Sequence, residues 1–244
     1  MTAPTGPILV AGASGVVGRR LVPLLRGRGY DVAGTTRSRA RAVEVERLGA
    51  TPVVVDVLDP DALARAVAAV APRMIIHQLT DLSGGFGRDQ IGETLARNAR
   101  LRADGTRNLA AAARAAGVRR IVAQSIAWVY APGPEPHTED DAIDLATGGT
   151  RAVTIQGVVA LERAVLATPP VEGIVLRYGW FYGPGTRETP ADSPGVHVDA
   201  AALAAALAID RGAPGIYNVA DASPRIAIEK ARRELGWDPA FRQS

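Results

Sequence analysis

Cysteine is missing from all 244 residues. That excludes disulfides, thiol nucleophiles and cysteine-held metals. Lysine is nearly missing: Lys230 is the one lysine among 28 basic residues. Arginine bias of this kind fits base composition better than a nucleic-acid partner, because no basic run clusters with aromatics. Aromatic residues make up only 5%, and the formal net charge is a mild +3. No apolar stretch nears the ~20 residues of a membrane span. The longest alanine-rich run, Ala200–Ile209, is closed by Asp199 and Asp210. A charged leader with a cleavage site is also lacking. A cytoplasmic protein without membrane or nucleic-acid partners is the expectation. What is present is apolar content of 47% with 22% charged residues, enough to bury a sizeable core.

Short β-rich runs alternate with helical patterns. Strands are expected at Ile8–Ala11, Asp31–Thr36, Pro52–Val57, Arg73–His77, Arg119–Gln124, Gly173–Arg177 and Gly215–Val219. Between them the spacing predicts helices over Val16–Leu25, Ser38–Leu48, from Asp59 or Asp61 to Val70, Asp89–Ala116, Val153–Leu166, Asp199–Arg211 and Ile226–Leu235. Ala131–Gly149 and Gly183–Gly195 are rich in Gly and Pro and read as loops. Alternation of this kind gives parallel strands with crossover helices on both faces. The expected fold is α/β, a Rossmann-type doubly wound parallel sheet. The whole of 1–244 reads as one dinucleotide-binding domain, with a small, reduced C-terminal substrate lid from about 178–200 and 220–244.

The first strand runs into Gly12, Gly15 and Gly18, a Gly-x-x-Gly-x-x-Gly loop that opens a helix. Gly12 allows the tight turn, Gly15 lets the backbone approach a diphosphate, and Gly18 lets helix pack on strand. The helix start offers free N–H groups to phosphate. Gly12, Ser14, Gly15, Val16, Val17 and Gly18 are the expected diphosphate residues. At the end of the second strand stands Gly34-Thr-Thr-Arg-Ser38, without the acid that holds the ribose of NAD. Arg37 can pair with a 2′-phosphate, helped by Thr35, Thr36 or Ser38, so NADP(H) is favoured over NAD(H). Asp56 and Val57 are placed to meet the adenine. Leu79 and Thr80 follow the fourth strand and are expected beside the cofactor.

These residues resemble the extended short-chain dehydrogenase/reductase family, the NAD(P)-dependent epimerase/dehydratases. The likeness is carried by the glycine loop, Gly105-Thr-Arg-Asn-Leu109, Ala115–Val122, Leu176–Gly185, Val196–Asp199, Tyr217–Val219 and Glu234–Pro239. It implies an oxidoreductase of a small organic substrate, and a homodimer through Asp89–Ala116 and Val153–Leu166. It also implies a Tyr and a Lys four residues apart on one helix face. This chain has no such pair. The residues four beyond Tyr30, Tyr130, Tyr178, Tyr182 and Tyr217 are Gly34, Pro134, Tyr182, Thr186 and Asp221. Aligned on Glu162, the pair would fall near Thr154 and Val158. The family's catalytic hydroxyl falls at Ile126, one residue after Ser125, and its helix asparagine near Arg102.

Ser125, Tyr130 and His77 are the remaining candidates for proton transfer. A bulged strand end would turn Ser125 toward the cofactor. Asp81 reads as a loop cap or as an acid in the pocket, and Trp128, Trp180, Phe181 and Tyr182 as pocket wall or core. The acids near His137 and His197 do not form a metal set. Three functions fit: an atypical NADP(H)-dependent oxidoreductase with a non-standard proton donor, a non-redox cyclase, dehydratase or isomerase, and a dinucleotide sensor.

Overall fold

The computed structural model describes residues 6–82, 87, 89–186 and 193–243. Seven strands form one parallel sheet: β1 (Ile8–Ala11), β2 (Val32–Thr36), β3 (Thr51–Val54), β4 (Met74–His77), β5 (Arg120–Ile126), β6 (Glu172–Tyr178) and β9 (Gly215–Val219). Their order is β3-β2-β1-β4-β5-β6-β9. The order reverses between β1 and β4, and ligands of such sheets bind outside the carboxyl ends at that switch.

Strand parity builds two cores. Ile8 and Val10 of β1, Met74 and Ile76 of β4, and Ile174 and Leu176 of β6 face one side. Leu9, Ala11, Ile75, Ile121, Ala123 and Val175 face the other. Period-two side chains buried on both faces are what a doubly covered parallel sheet requires. The first side is covered by α1 (Gly18–Gly27) and α7 (Val198–Leu207), with α2 (Arg39–Arg47) packed on β2 and β3. The second is covered by α3 (Pro60–Val70), α5 (Thr106–Ala115) and α6 (Gly149–Leu166), with α4 (Ile91–Arg100) against α6. Every residue of α7 is buried, as expected of a helix that is apolar all round. Trp237 closes its far side, donating its indole N–H to the Ala200 carbonyl at 2.8 Å.

Several boundaries differ from the sequence reading. The long stretch Asp89–Ala116 is helical from Ile91, but a π-helical turn at Leu101–Gly105 joins α4 to α5. The helix expected at Ile226–Leu235 is reduced to a final turn, π-helical over Ala231–Leu235. The loop after β6 instead carries β7 (Trp180–Tyr182) and β8 (Gly195–His197), a parallel two-stranded sheet. Among the described residues no helix is long and apolar enough to cross a membrane.

Candidate functional site

Gly12 sits at φ +92°, and a Cβ there would lie 2.9 Å from the Gln78 carbonyl oxygen. At Gly18 a Cβ would come within contact of the Gly12 and Ala13 carbonyls. Both positions therefore demand glycine. Gly15 N–H donates to the Gly12 oxygen at 3.0 Å and closes the turn. No side chain caps the start of α1, and its first turn holds no acid. Gly15 is exposed and Val16 is 37% exposed, so the loop's outer surface is open. Free helix-start amides on an open glycine turn suit a diphosphate.

At the end of β2, Thr35 and Thr36 are buried. Thr35 Oγ1 accepts from Gly12 N at 3.4 Å, and Thr36 Oγ1 accepts from Ser38 N at 3.3 Å. Both threonines thus shape the loop from within. Arg37, with 54% of its side chain exposed, reaches across to Asp81 at 3.5 Å. Asp81 lies just beyond β4, and its amide donates to Asn98 Oδ1 at 2.9 Å. Asp56 Oδ1 accepts from Leu58 N. Val57 is buried against the space beside Gly105. Leu79 is half-buried and Thr80 exposed at the same edge.

The three proton-transfer candidates are committed to internal partners. His77 is 0% exposed. Its Nδ1 accepts from Leu79 N at 3.2 Å, so the ring hydrogen lies on Nε2, which bonds Thr106 Oγ1 at 2.8 Å. Burial first, and the nearby Arg102 charge second, push the imidazole down to about 4. His77 is a neutral, enclosed brace in this arrangement.

Ser125 is not bulged outward. The register continues through Ser125 opposite Arg177 and Ile126 opposite Tyr178. Parity turns Ser125 toward α6, where its hydroxyl donates to Glu162 Oε1 at 2.7 Å. Arg177 grips the same carboxylate through Nε at 2.9 Å and Nη2 at 2.7 Å. Burial opposes the Arg177 charge, but the bonds to Glu162 outweigh it and raise its pKa. The Arg177 guanidinium also lies over the Tyr130 ring, 5.0 Å from its centre. Tyr130 donates to Asn218 Oδ1 at 2.6 Å, and Asn218 N donates to Glu139 Oε1 at 2.8 Å. Burial pushes the Tyr130 phenol up against the pull of Arg177. A phenol so placed is a poor acid and a worse base at neutral pH.

Where the resemblance expects its Tyr and Lys, α6 carries Thr154, whose hydroxyl reaches back to Thr150 O at 3.4 Å, and a fully buried Val158. Lys230 bonds Ile216 O, near the start of β9 and away from the carboxyl edge. Among the described residues no group of acids, histidines or cysteines is arranged to hold a metal. Trp128 and Trp180 stack at 4.1 Å on the loops that follow β5 and β6. They offer a flat aromatic face at the carboxyl edge. The Glu162–Arg177 pair and its link to Tyr130 were not visible in the sequence, since α6, β6 and the loop after β5 are distant in the chain. The one signal was Arg177, a charged residue that directly follows the apolar run of Ile174, Val175 and Leu176.

The NAD dependent epimerase/dehydratase family profile matches residues 8–208. A 3-diazoavenalumate denitrifying reductase from a Streptomyces species is 42% identical over 91% of this chain and 78% of that protein. A dTDP-4-dehydrorhamnose reductase of Streptomyces griseus is 31% identical over 72% of this chain, but the match spans only 50% of that protein. Among solved structures, a UDP-glucose 4-epimerase from Thermotoga maritima superposes with a TM-score of 0.77 at 19% identity, covering 97% of this chain and 94% of that one. A Bordetella bronchiseptica enzyme in complex with NAD gives 0.75 at 19% identity, with 99% and 92% covered.

Proposed function

Because the chain belongs to the NAD dependent epimerase/dehydratase family, we propose that it is an NADP(H)-dependent reductase that removes dinitrogen from an aromatic diazo acid. The observation that carries this reading is the commitment of Ser125, Tyr130 and His77 to internal bonds. With no Tyr-x-x-x-Lys pair beside them, these residues leave a site suited to hydride delivery without a coupled proton transfer. When bound, the reduced nicotinamide supplies the hydride. An arenediazonium plus hydride gives the arene and dinitrogen: the C–N bond breaks and a C–H bond forms, and where a neighbouring hydroxyl starts as phenolate, water protonates it after dinitrogen has left. A carbonyl reduction, by contrast, must protonate an alkoxide. The name of the 42% identical relative supports the same substrate class.

The residues present fit the cofactor. Gly12, Ser14, Gly15, Val16, Val17 and Gly18 form the diphosphate cradle: the amides of Gly12 and Gly15 close the turn, and free amides at the helix start meet the phosphates. Asp56, Val57, Leu79 and Thr80 flank the adenine side. Arg37 and Ser38 hold the 2′-phosphate, and the long, exposed contact of Arg37 with Asp81 yields to it at little cost. The Trp128–Trp180 stack supports the aromatic ring of the substrate. We further propose that two copies pair across α5 and α6. There an open groove is lined by Ala110, Ala111, Val159, Ala160 and Ala164.

The test combines the purified protein with NADPH and diazotised 3-amino-4-hydroxybenzoate. Nicotinamide absorbance and the diazo band should fall together, mole for mole, with dinitrogen evolved. Arg37→Ala should raise the KM for NADPH by about tenfold, the loss of one charge-assisted pair, and leave that for NADH unchanged. An intact diazo acid in the presence of bound NADPH would refute the reaction, and equal losses for both cofactors would refute the role of Arg37.

A further inference from the structure

Arg102 lies in the π-helical turn between α4 and α5 and is 5% exposed. A guanidinium taken out of water is costly unless an anion meets it. Among the described residues the Arg102 side chain makes neither a hydrogen bond nor an ion pair. Glu162 is the acid that supports its charge, yet both oxygens of Glu162 are already held by Arg177, with Ser125 as a third donor. Burial lowers Arg102 to about 10, so it remains a cation at neutral pH.

The guanidinium is not sealed. The fully enclosed side-chain atoms that lack a partner among the described residues are Gln78 Oε1 and Asp199 Oδ1, and no nitrogen of Arg102 is among them. Its position follows from its neighbours. It stands one turn before Thr106, whose hydroxyl bonds His77 at the end of β4, and its turn packs on α6, whose Glu162 bonds Ser125 near the end of β5. The head therefore stands at the carboxyl edge between β4 and β5, where ligands of this fold bind. The π-helical turn explains the inward aim. An extra residue in the turn rotates the side chains that follow, and such turns recur at functional positions.

We propose that Arg102 binds an anionic oxygen of the substrate, a carboxylate or a phenolate, at the reaction end of the site, on the carboxyl edge between β4 and β5. The inference rests on the reductase reading for the location of that end, and it adds the residue that recognises the substrate's charge. A cation with an open face and no internal acceptor attracts an oxyanion strongly in such a low-dielectric setting. The site then favours aromatic acids over their neutral esters, and it orients the ring on the Trp128–Trp180 face.

The test reads binding, so it is independent of turnover. Tryptophan fluorescence of the protein saturated with NADP⁺ is titrated with 4-hydroxycinnamate, its methyl ester and 4-nitrophenolate. At least one anion should bind about tenfold more tightly than the ester, and the one that does identifies carboxylate or phenolate. Arg102→Gln should lose that tenfold preference while its affinity for the ester and for NADPH stays the same. Arg102→Lys should keep most of the preference, and it decides the matter if the glutamine variant does not fold. Equal weakening for acid and ester would overturn the proposal. So would a wild-type protein indifferent to charge, or a fall in NADPH affinity as large as that for the anion. Failure of the diazo reaction alone would leave the anion preference standing.

Discussion

Glu162 is the meeting point of Ser125 and Arg177, and Arg177 in turn covers the face of Tyr130. Groups that serve as acid and base in a proton relay are thus turned into a buried, mutually satisfied brace. His77 shows the same conversion and leaves a measurable trace. Its imidazole stands at about 4 in the folded protein against an ordinary 6.5. Between those values the unfolded chain takes up a proton that the folded chain refuses. The stabilisation is complete above about pH 6.5 and is lost as pH falls toward about 4, by about 1.4 kcal/mol per unit and roughly 3 kcal/mol in all. Urea unfolding at several pH values across that window should show this slope, and His77→Gln should flatten it. An unchanged slope in the variant would assign the acid sensitivity to another group.

The crossing of α4 and α6 depends on Gly157. A Cβ there would lie 2.8 Å from Ala99 Cα and 3.0 Å from its Cβ. Helix propensity favours Gly157→Ala by about 1 kcal/mol, but the obstacle is backbone and cannot rotate away, so overpacking of about 1–3 kcal/mol prevails. Gly92, also helical, has nothing within 4 Å of its would-be Cβ. Thermal unfolding should place Gly157→Ala below the wild type and Gly92→Ala at or above it, and the reverse order would contradict this packing. Much at this scale was legible in the sequence. The glycine turn, the alternation of strands and helices and the parity of their apolar residues all follow from local rules. The π-helical turn was not, because an added residue in a helix arises from packing against α6 rather than from the residues at Leu101–Gly105. Nor were β7 and β8, three residues each, too short for a period-two signal. Only a bulged strand end would turn Ser125 toward the cofactor, and simple alternation along β5 from Ile121 and Ala123 sends it to α6.

On the scale of the whole molecule, one seven-stranded parallel sheet separates two cores, and the glycine turn, Arg37 and the Trp128–Trp180 stack lie at its carboxyl edge. The outer faces of α5 and α6 form an apolar groove rimmed by Arg107, Arg114 and Arg163. Pairing of two copies there should give a dimer by light scattering, and Ala160→Arg should convert it to a monomer without altering NADPH affinity. A wild-type monomer at micromolar concentration would end that proposal.

The lone ammonium side chain, Lys230, is held at 2.9 Å on the Ile216 carbonyl and over the Tyr217 ring, on the edge strand β9, with three strands between it and β1 with its glycine turn. Apart from the chain's own amino terminus, amine-directed reagents find one address in this protein. A dye, a biotin or a resin linked there leaves the glycine turn open.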